Sequence, residues 1–445
     1  MALLQTSYSS MLKMALPIMF GTFVQSIVLF VDSRFLNQVG ELEFGAAGNA
    51  GLIYMTLYMI GQGLADGGQI ITARRYGEGS KLKVSQTFSQ IFKLGLILST
   101  ILFVLAFFIF PQLIGSFSLK SEMKEAMNSY LTIRSFGFFF SILNLAFISF
   151  YLGVGRSKIL IYTTLIISIV NIFLDYVLVT GELGFPNMGM EGVAIATVIA
   201  EAATFVFTVI YSFYNKENKE FKLFSKFSFS KKEAIKTLRI SMPLMAANLF
   251  AVGGWTIFFM MIAFMGEDDL FVSQIIHKLY FLALIPIIGF AAVTKTYVSN
   301  LMANKVDNIY PTIKKIVVMD YLFVLFFIHG FILYPEFWIK LAAPQAEVEA
   351  IEQGKVILAI ITGSIIIHTI SSVLTAVISG SGVTKVAFRI EAACMVAYLV
   401  LAYLTIFIWK QSVEVVWLME YVYFIVFLIL AIYFIKKGNW KNNQI

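Results

Sequence analysis

The chain has one cysteine, Cys394, and three histidines, His277, His329 and His368. A single cysteine excludes a disulfide framework and a cysteine-based metal site. Cys394 itself lies within an apolar run, where it reads as a small core residue. The histidines are scattered over separate apolar segments, so the clustered set that a membrane enzyme needs is missing. The chain therefore reads as a non-enzyme, and it calls for no cofactor. No Gly-x-x-x-x-Gly-Lys-Ser/Thr run occurs; Gly380-Ser-Gly382-Val-Thr384-Lys385 comes nearest but lacks the Gly-Lys order. That absence argues against ATP-driven transport by this chain alone. Charge is scarce as well. Asp, Glu, Lys and Arg make up 13% of the residues, where soluble domains carry about 25%.

What fills the space is apolar. Of 445 residues 59% are hydrophobic, and mean hydropathy is +0.84, a composition built for lipid. Apolar runs recur every 30 to 40 residues without a soluble break. The net charge of +7 does not indicate a nucleic-acid partner, because the basic residues sit in short loops between apolar segments, where they set topology. The first apolar stretch, from about Leu12 to Leu36, is too long for a signal-peptide core and lacks a small-residue cleavage site, so it is expected to stay as the first helix.

Windows of about 20 apolar residues, the length that crosses a bilayer core, predict twelve spans. They lie near 12–36, 46–72, 87–110, 128–152, 159–180, 191–214, 239–264, 271–294, 314–334, 355–379, 386–409 and 413–435. Loops at one face carry Arg74, Arg75, Lys81 and Lys83, then Arg156 and Lys158, then Lys385 and Arg389. The stretch from Lys216 to Arg239 and the tail with Lys436, Lys437 and Lys441 share that face. Opposite loops hold Glu41, Glu43, Glu182, Glu267, Asp268, Asp269, Glu347, Glu349 and Glu352, with few basic residues, chiefly Lys120, Lys124 and Lys340. The positive-inside rule then makes both termini and the long middle loop cytoplasmic in a multi-pass protein of the inner membrane.

The chain also repeats itself. Lys13-Met-Ala-Leu-Pro17-Ile-Met19 resembles Arg239-Ile-Ser-Met-Pro243-Leu-Met245, and each proline is followed at equal distance by Gly-Glu, at Gly40-Glu41 and Gly266-Glu267. Phe110-Pro111 echoes Tyr334-Pro335, and Gly153-Val-Gly155-Arg-Ser157-Lys158 matches Gly380-Ser-Gly382-Val-Thr384-Lys385. Shared Pro, Gly and Lys in one order are not explained by hydrophobicity, so duplication is the reading. It predicts a six-helix bundle over 1–215, a cytoplasmic linker over 216–238 and a second six-helix bundle over 239–445. Each half has an even number of helices, so the symmetry axis should run along the membrane normal, as in parallel-repeat transporters. Two such bundles enclose a cleft that can open to either face.

Pro17, Val31-Asp32-Ser33 and Ala73-Arg74-Arg75-Tyr76-Gly77-Glu78-Gly79 resemble the multidrug and toxic compound extrusion (MATE) family, as do Asn171-Ile-Phe-Leu-Asp175 and Gly192-Val-Ala-Ile-Ala-Thr197. The likeness covers nearly the whole chain and is strongest in its first half. It implies an all-α integral membrane fold of twelve transmembrane helices in two pseudo-symmetric six-helix bundles arranged as a V. It also implies export of organic, often cationic, compounds against an inward flow of H+ or Na+.

Charges inside a bilayer are expensive and are functional candidates by default. Asp32 lies in the outer third of the first helix, with Gln25 seven residues earlier on the same face. Asn171 and Asp175, four residues apart, point the same way from the fifth. Thr197 is expected to begin the sixth helix, and Tyr130 the fourth, at a similar depth; Asn144 lies deeper. Two carboxylates in a low-dielectric pocket favour proton uptake through desolvation and mutual repulsion. The oxygens of Asp32, Asn171, Asp175 and Thr197 would alternatively suit a hard cation such as Na+. Either ion could compete with a drug at Gln25 and Asp32. The bland alternative is that Asp32 and Asp175 merely cap helices near the interface.

The resemblance places this acidic and amide set in the prokaryotic, DinF-like branch. Other branches carry a glutamate where this chain has Ala251, which weakens the case for a matching site in the second half. Asp320, His368 and Glu420 remain candidates there. Asp66, Arg134 and Glu201 are further buried charges of the first half, and Arg134 is expected to pair with an acid. Met242, Met245, Met260 and Met261 offer soft surface for varied ligands. The leading reading is a cation-coupled antiporter, working as a monomer among membrane lipid, that exports organic cationic or amphipathic small molecules by alternating access. The alternative is a flippase for a lipid-linked saccharide or cell-wall precursor. A flippase for polyanionic headgroups should line its cavity with Arg or Lys, whereas the mid-membrane charges here are mainly acidic.

Overall fold

The computed structural model describes residues 3–116, 119–224, 229–306, 308–438, 440–441 and 443, and among them it contains helices and no strand. The long helices are α1 (Tyr8–Val39), α2 (Glu41–Gly77), α3 (Lys81–Ser116), α4 (Ser121–Ser135 continued by Gly137–Gly153), α5 (Ile159–Thr180) and α6 (Gly189–Tyr214). They continue as α7 (Lys231–Ala263), α8 (Glu267–Ala303), α9 (Tyr310–Leu333), α10 (Val348–Gly380), α11 (Thr384–Ile408) and α12 (Val413–Lys437). A short helix, Pro335–Ala342, precedes α10. Ten are long and apolar enough to cross a membrane alone, and α4, bent by 43° at its break, makes an eleventh. The twelfth is α2, with 37 residues. Glycine lowers its hydropathy, yet glycine is also its packing device, since small residues let helix backbones approach in lipid. A Cβ on Gly63 would lie 2.4 Å from backbone atoms of Met245 in α7, and one on Gly67 would lie 2.0 Å from Ser241 Oγ.

Several helices outrun their predicted spans because backbone hydrogen bonding continues past the apolar window into polar turns. The helix α8 covers Glu267–Ala303 where the apolar run covers 271–294. Likewise α7 begins at Lys231, inside the polar stretch 216–238. Tyr130 and Thr197, expected to begin their helices, lie well inside α4 and α6, which start at Ser121 and Gly189.

Contacts divide the chain into two compact units. One holds Phe20–Met245, and the other holds Leu3–Met19 with Ala246–Ile445. Both boundaries fall two residues after a helix-interior proline, Pro17 in α1 and Pro243 in α7. In the N-terminal unit α5 packs along α6, while α2 and α3 pack on α4. One of its cores joins Ala46, Ala50, Leu57, Leu131, Phe138 and Ile142. In the C-terminal unit α10 is central, packed by α8, α9 and α12. Its core gathers Phe258, Ile276, Ile361, Tyr398, Trp417 and Phe424. Outward positions stay apolar too: Leu29, Phe30, Ile169 and Phe326 are more than half exposed, which suits a lipid surround.

At the end of the N-terminal unit that carries Arg74 and Arg156, the segment after α6 is strapped down. Glu220 bridges Lys81 at 2.7 Å and Arg156 at 2.9 Å. Asn218 Nδ2 donates to the Tyr151 hydroxyl at 2.7 Å. Phe221 and Leu223 are buried in an aromatic cluster with Phe88, Phe147 and Phe150. Lys81 and Arg156 hold Glu220 below the usual carboxylate range by hydrogen bonding and charge, with Lys81 the larger influence.

Candidate functional site

The polar site is assembled inside the N-terminal unit from α1, α4, α5 and α6. Asp32 is seven residues short of the end of α1 and Asp175 five short of the end of α5, so neither caps its helix. Their carboxyl groups face each other within hydrogen-bonding reach. Asp175 is fully buried and Asn171, one turn earlier on the same face, is 1% exposed. Asn171 Nδ2 donates to Thr197 Oγ1 at 3.4 Å, and that hydroxyl donates to Val193 O at 2.9 Å. This orientation leaves Asn171 Oδ1 turned away from its only donor neighbour. Asp32 Oδ1, Asn171 Oδ1 and both Asp175 oxygens are buried without a hydrogen-bond partner among the described residues.

Buried acceptors in that state need a donor or a cation. Two facing carboxyls need one most, because both cannot stay ionised at contact. A proton shared between Asp32 and Asp175 answers the repulsion, and so does a small hard cation bound by the same oxygens. Tyr130, 8% exposed, stands within electrostatic reach of both acids. Asn144 also buries an unpartnered Oδ1, but no hydrogen bond ties it to the cluster. Gln25 is exposed on α1 and makes no hydrogen bond among the described residues. The structure thus brings together Asp32, Asn171, Asp175, Thr197 and Tyr130, and leaves Gln25 and Asn144 outside their hydrogen-bond network.

A second layer lies beside it. Arg134 of α4 pairs with Glu201 of α6 at 3.1 Å, both less than a tenth exposed. The guanidinium also sits 4.0 Å over the Tyr54 ring. Tyr54 donates its hydroxyl to Glu201 at 3.2 Å, lies 3.2 Å from Ser141 Oγ and stacks on Phe138. Asp32 is within electrostatic reach of the same arginine. Sequence reasoning gave Arg134 an acid but did not find Tyr54. Its signal was present, since Tyr54 continues a buried stripe of Ala47, Ala50, Leu57 and Gly61 at helical spacing on α2. The α2 acid Asp66 accepts from Gln62 Nε2 at 3.3 Å, within its own helix.

In the C-terminal unit Asp320 is fully buried, with both carboxyl oxygens unpartnered. His368 stacks on Phe424 at 4.2 Å, and Glu420 accepts from Tyr280 at 3.4 Å.

The comparisons match this picture of two related halves. The MatE family profile matches twice, over residues 17–177 and 243–404. A protein named "Probable multidrug resistance protein NorM" from Agrobacterium fabrum is 25% identical over 241 residues, which cover 53% of this chain and 51% of the relative. The protein of the same name from Thermotoga maritima is 27% identical, with 66% of this chain and 64% of the relative covered. The chain thus spans about half to two thirds of the length of the curated relatives it matches. A solved multidrug resistance MATE family transporter of the MOP superfamily, in an outward-facing conformation, superposes with a TM-score of 0.90 at 18% identity, covering 98% of this chain and 97% of its own. That likeness carries the fold: twelve helices in two six-helix halves. With the doubled profile match over most of its length, the chain belongs to the MATE family.

Proposed function

We propose that this protein is a cation-coupled antiporter that exports organic, cationic or amphipathic compounds across the cytoplasmic membrane by alternating access, with both termini cytoplasmic. The observation that carries the reading is the facing pair Asp32 and Asp175, buried with Asn171 and Thr197 and short of donors. A pair that must take up one positive charge can take it from outside and release it inside. The energy of that downhill movement then drives an organic cation the other way. Asp32 is the expected meeting point, because it lies on α1 with Gln25 and is only partly buried, whereas Asp175 is sealed. H+ and Na+ both fit the oxygen set, so the coupling ion is either one. Names of the relatives as multidrug resistance proteins support the substrate class.

A lipid-linked-saccharide flippase is the weaker reading. Within the N-terminal unit the mid-membrane cation is Arg134, and Glu201 neutralises it, which leaves no free positive charge for a polyanionic headgroup. Efflux of ethidium or norfloxacin from cells tests the proposal. Wild type should lower dye accumulation, while Asp32→Asn and Asp175→Asn should not. Wild-type efflux by both variants refutes the coupling assignment, and no efflux of any cationic dye by wild type refutes the substrate class.

A further inference from the structure

The C-terminal unit repeats one polar pair of the N-terminal unit but omits its cation. In the N-terminal unit Tyr54 of α2 donates to Glu201 of α6, and Arg134 neutralises that carboxylate. Tyr280 lies on α8, 226 residues after Tyr54, the spacing that separates Pro17 from Pro243. Its hydroxyl donates to Glu420 Oε2 at 3.4 Å. Glu420 belongs to α12, the counterpart of α6 in the repeat. No Lys, Arg or His among the described residues stands in ion-pair contact with Glu420. Yet it is 2% exposed, Tyr280 is 3% exposed and Tyr398 is 1% exposed. The Tyr398 hydroxyl, on α11, faces the same carboxyl group and is buried without a hydrogen-bond partner. Tyr398 itself stands 227 residues after Asn171, the offset of Gly153 and Gly380.

The surroundings offer no other charge compensation. Trp417 is fully buried, with its indole N–H given to Ser273 Oγ at 3.0 Å. The α7 side supplies the rings of Trp255 and Phe258, 5.2 Å from Tyr280 and 5.0 Å from Tyr398. On α8, His277 stacks against Trp255 at 5.1 Å. From α10, His368 lies on the ring of Phe424 and beside Ser371. On α12, Tyr423 donates to Glu391 of α11 at 2.6 Å, which adds a second acid near the first. An ionised Glu420 would therefore be a desolvated anion among aromatic rings with one phenolic donor, which is costly. One proton resolves both defects. The neutral acid still accepts from Tyr280 on one oxygen and donates from the other to the idle Tyr398 hydroxyl.

We propose that Glu420, with Tyr280 and Tyr398, forms a second proton-binding site, built into the C-terminal unit on helices α8, α11 and α12. It binds H+ by conversion of carboxylate to carboxylic acid and needs no further reactant. It stands whether or not Asp32 and Asp175 couple transport.

Infrared difference spectroscopy on the full-length protein in lipid nanodiscs, stepped in pH in H2O and D2O, reads this directly. The Asp32→Asn/Asp175→Asn double variant serves as background, so that the N-terminal pair contributes nothing. A protonated-carboxyl band that shifts in D2O should be present there. Adding Glu420→Gln should remove one carboxyl's worth of that band, because the amide keeps an acceptor for Tyr280 but holds no exchangeable acid proton. Adding Tyr398→Phe instead should move the band to higher frequency, since the acid loses its acceptor. A band unchanged by both substitutions overturns the proposal, as does the absence of any titrating carboxyl in the background protein. Failure of the N-terminal assignment would show in efflux and leave these spectra as they are.

Discussion

Replacing Arg134 by methionine keeps the bulk of the stem and removes the charge. The loss can be worked from the contacts. Glu201 loses its ion pair at 3.1 Å and keeps only the Tyr54 hydroxyl, while both partners sit less than a tenth exposed. Leaving one half of a buried pair uncompensated costs about 3–5 kcal/mol. The cation–π contact over Tyr54 at 4.0 Å adds on the order of 1 kcal/mol. For a unit about the size of Phe20–Met245, each kcal/mol moves the melting temperature by roughly 2–4 °C, so the single variant should melt on the order of 10 °C lower. Arg134→Met/Glu201→Leu removes the orphaned charge as well and should recover most of that loss. The assay is provided by the chain itself. Cys394 is its single cysteine and is fully buried, so a thiol-reactive dye reports unfolding without background. A single variant that melts with wild type, or a double variant that melts lower than the single, refutes the view of Arg134 and Glu201 as a mutually compensating pair.

Other expectations follow from local contacts. Gly63→Ala places a methyl 2.4 Å from the Met245 backbone, so it should lower the melting temperature and yield by several degrees and several fold, respectively. Gly48→Ala on the same helix meets nothing within 4 Å and should stabilise by about 0.5–1 kcal/mol through helix propensity, read in the same dye melt. The strap after α6 should loosen in acid. The Glu220 carboxyl is held below its ordinary value mainly by Lys81, so its contribution is full above the usual glutamate range and is lost as pH falls through the lowered value. Limited proteolysis of residues 216–224 should therefore speed up in strong acid. At neutral pH Glu220→Gln should reproduce that sensitivity, and high salt part of it.

The span count and the doubling were legible because hydropathy and punctuation residues are local signals. Pro17 and Pro243 marked matching places, and the structure puts its unit boundaries two residues beyond each. Helix ends were less visible, since nothing in the apolar run from 271 to 294 tells α8 to continue to Ala303. Of the polar site, Asp32, Asn171 and Asp175 could be found from intramembrane charge and the four-residue spacing on α5. The partner of Arg134 could not be chosen among several acids, because Glu201 is 67 residues away and only tertiary packing selects it. The strap was read as polar linker, yet Phe221 and Leu223 are buried; two apolar residues in a basic stretch give no periodic signal. Neither the bend of α4 nor the pairing of Tyr280 with Glu420 leaves a trace in hydropathy.

Transport into proteoliposomes under separately imposed proton and sodium gradients tests the central claim most directly. Wild type should drive uptake of a fluorescent organic cation into inverted vesicles when one of the two gradients is present. Asp32→Asn and Asp175→Asn should each abolish that gradient-driven uptake while the protein remains folded by the Cys394 melt. Gradient-driven uptake at the wild-type rate in both variants would contradict the assignment of the facing carboxyls as the coupling site.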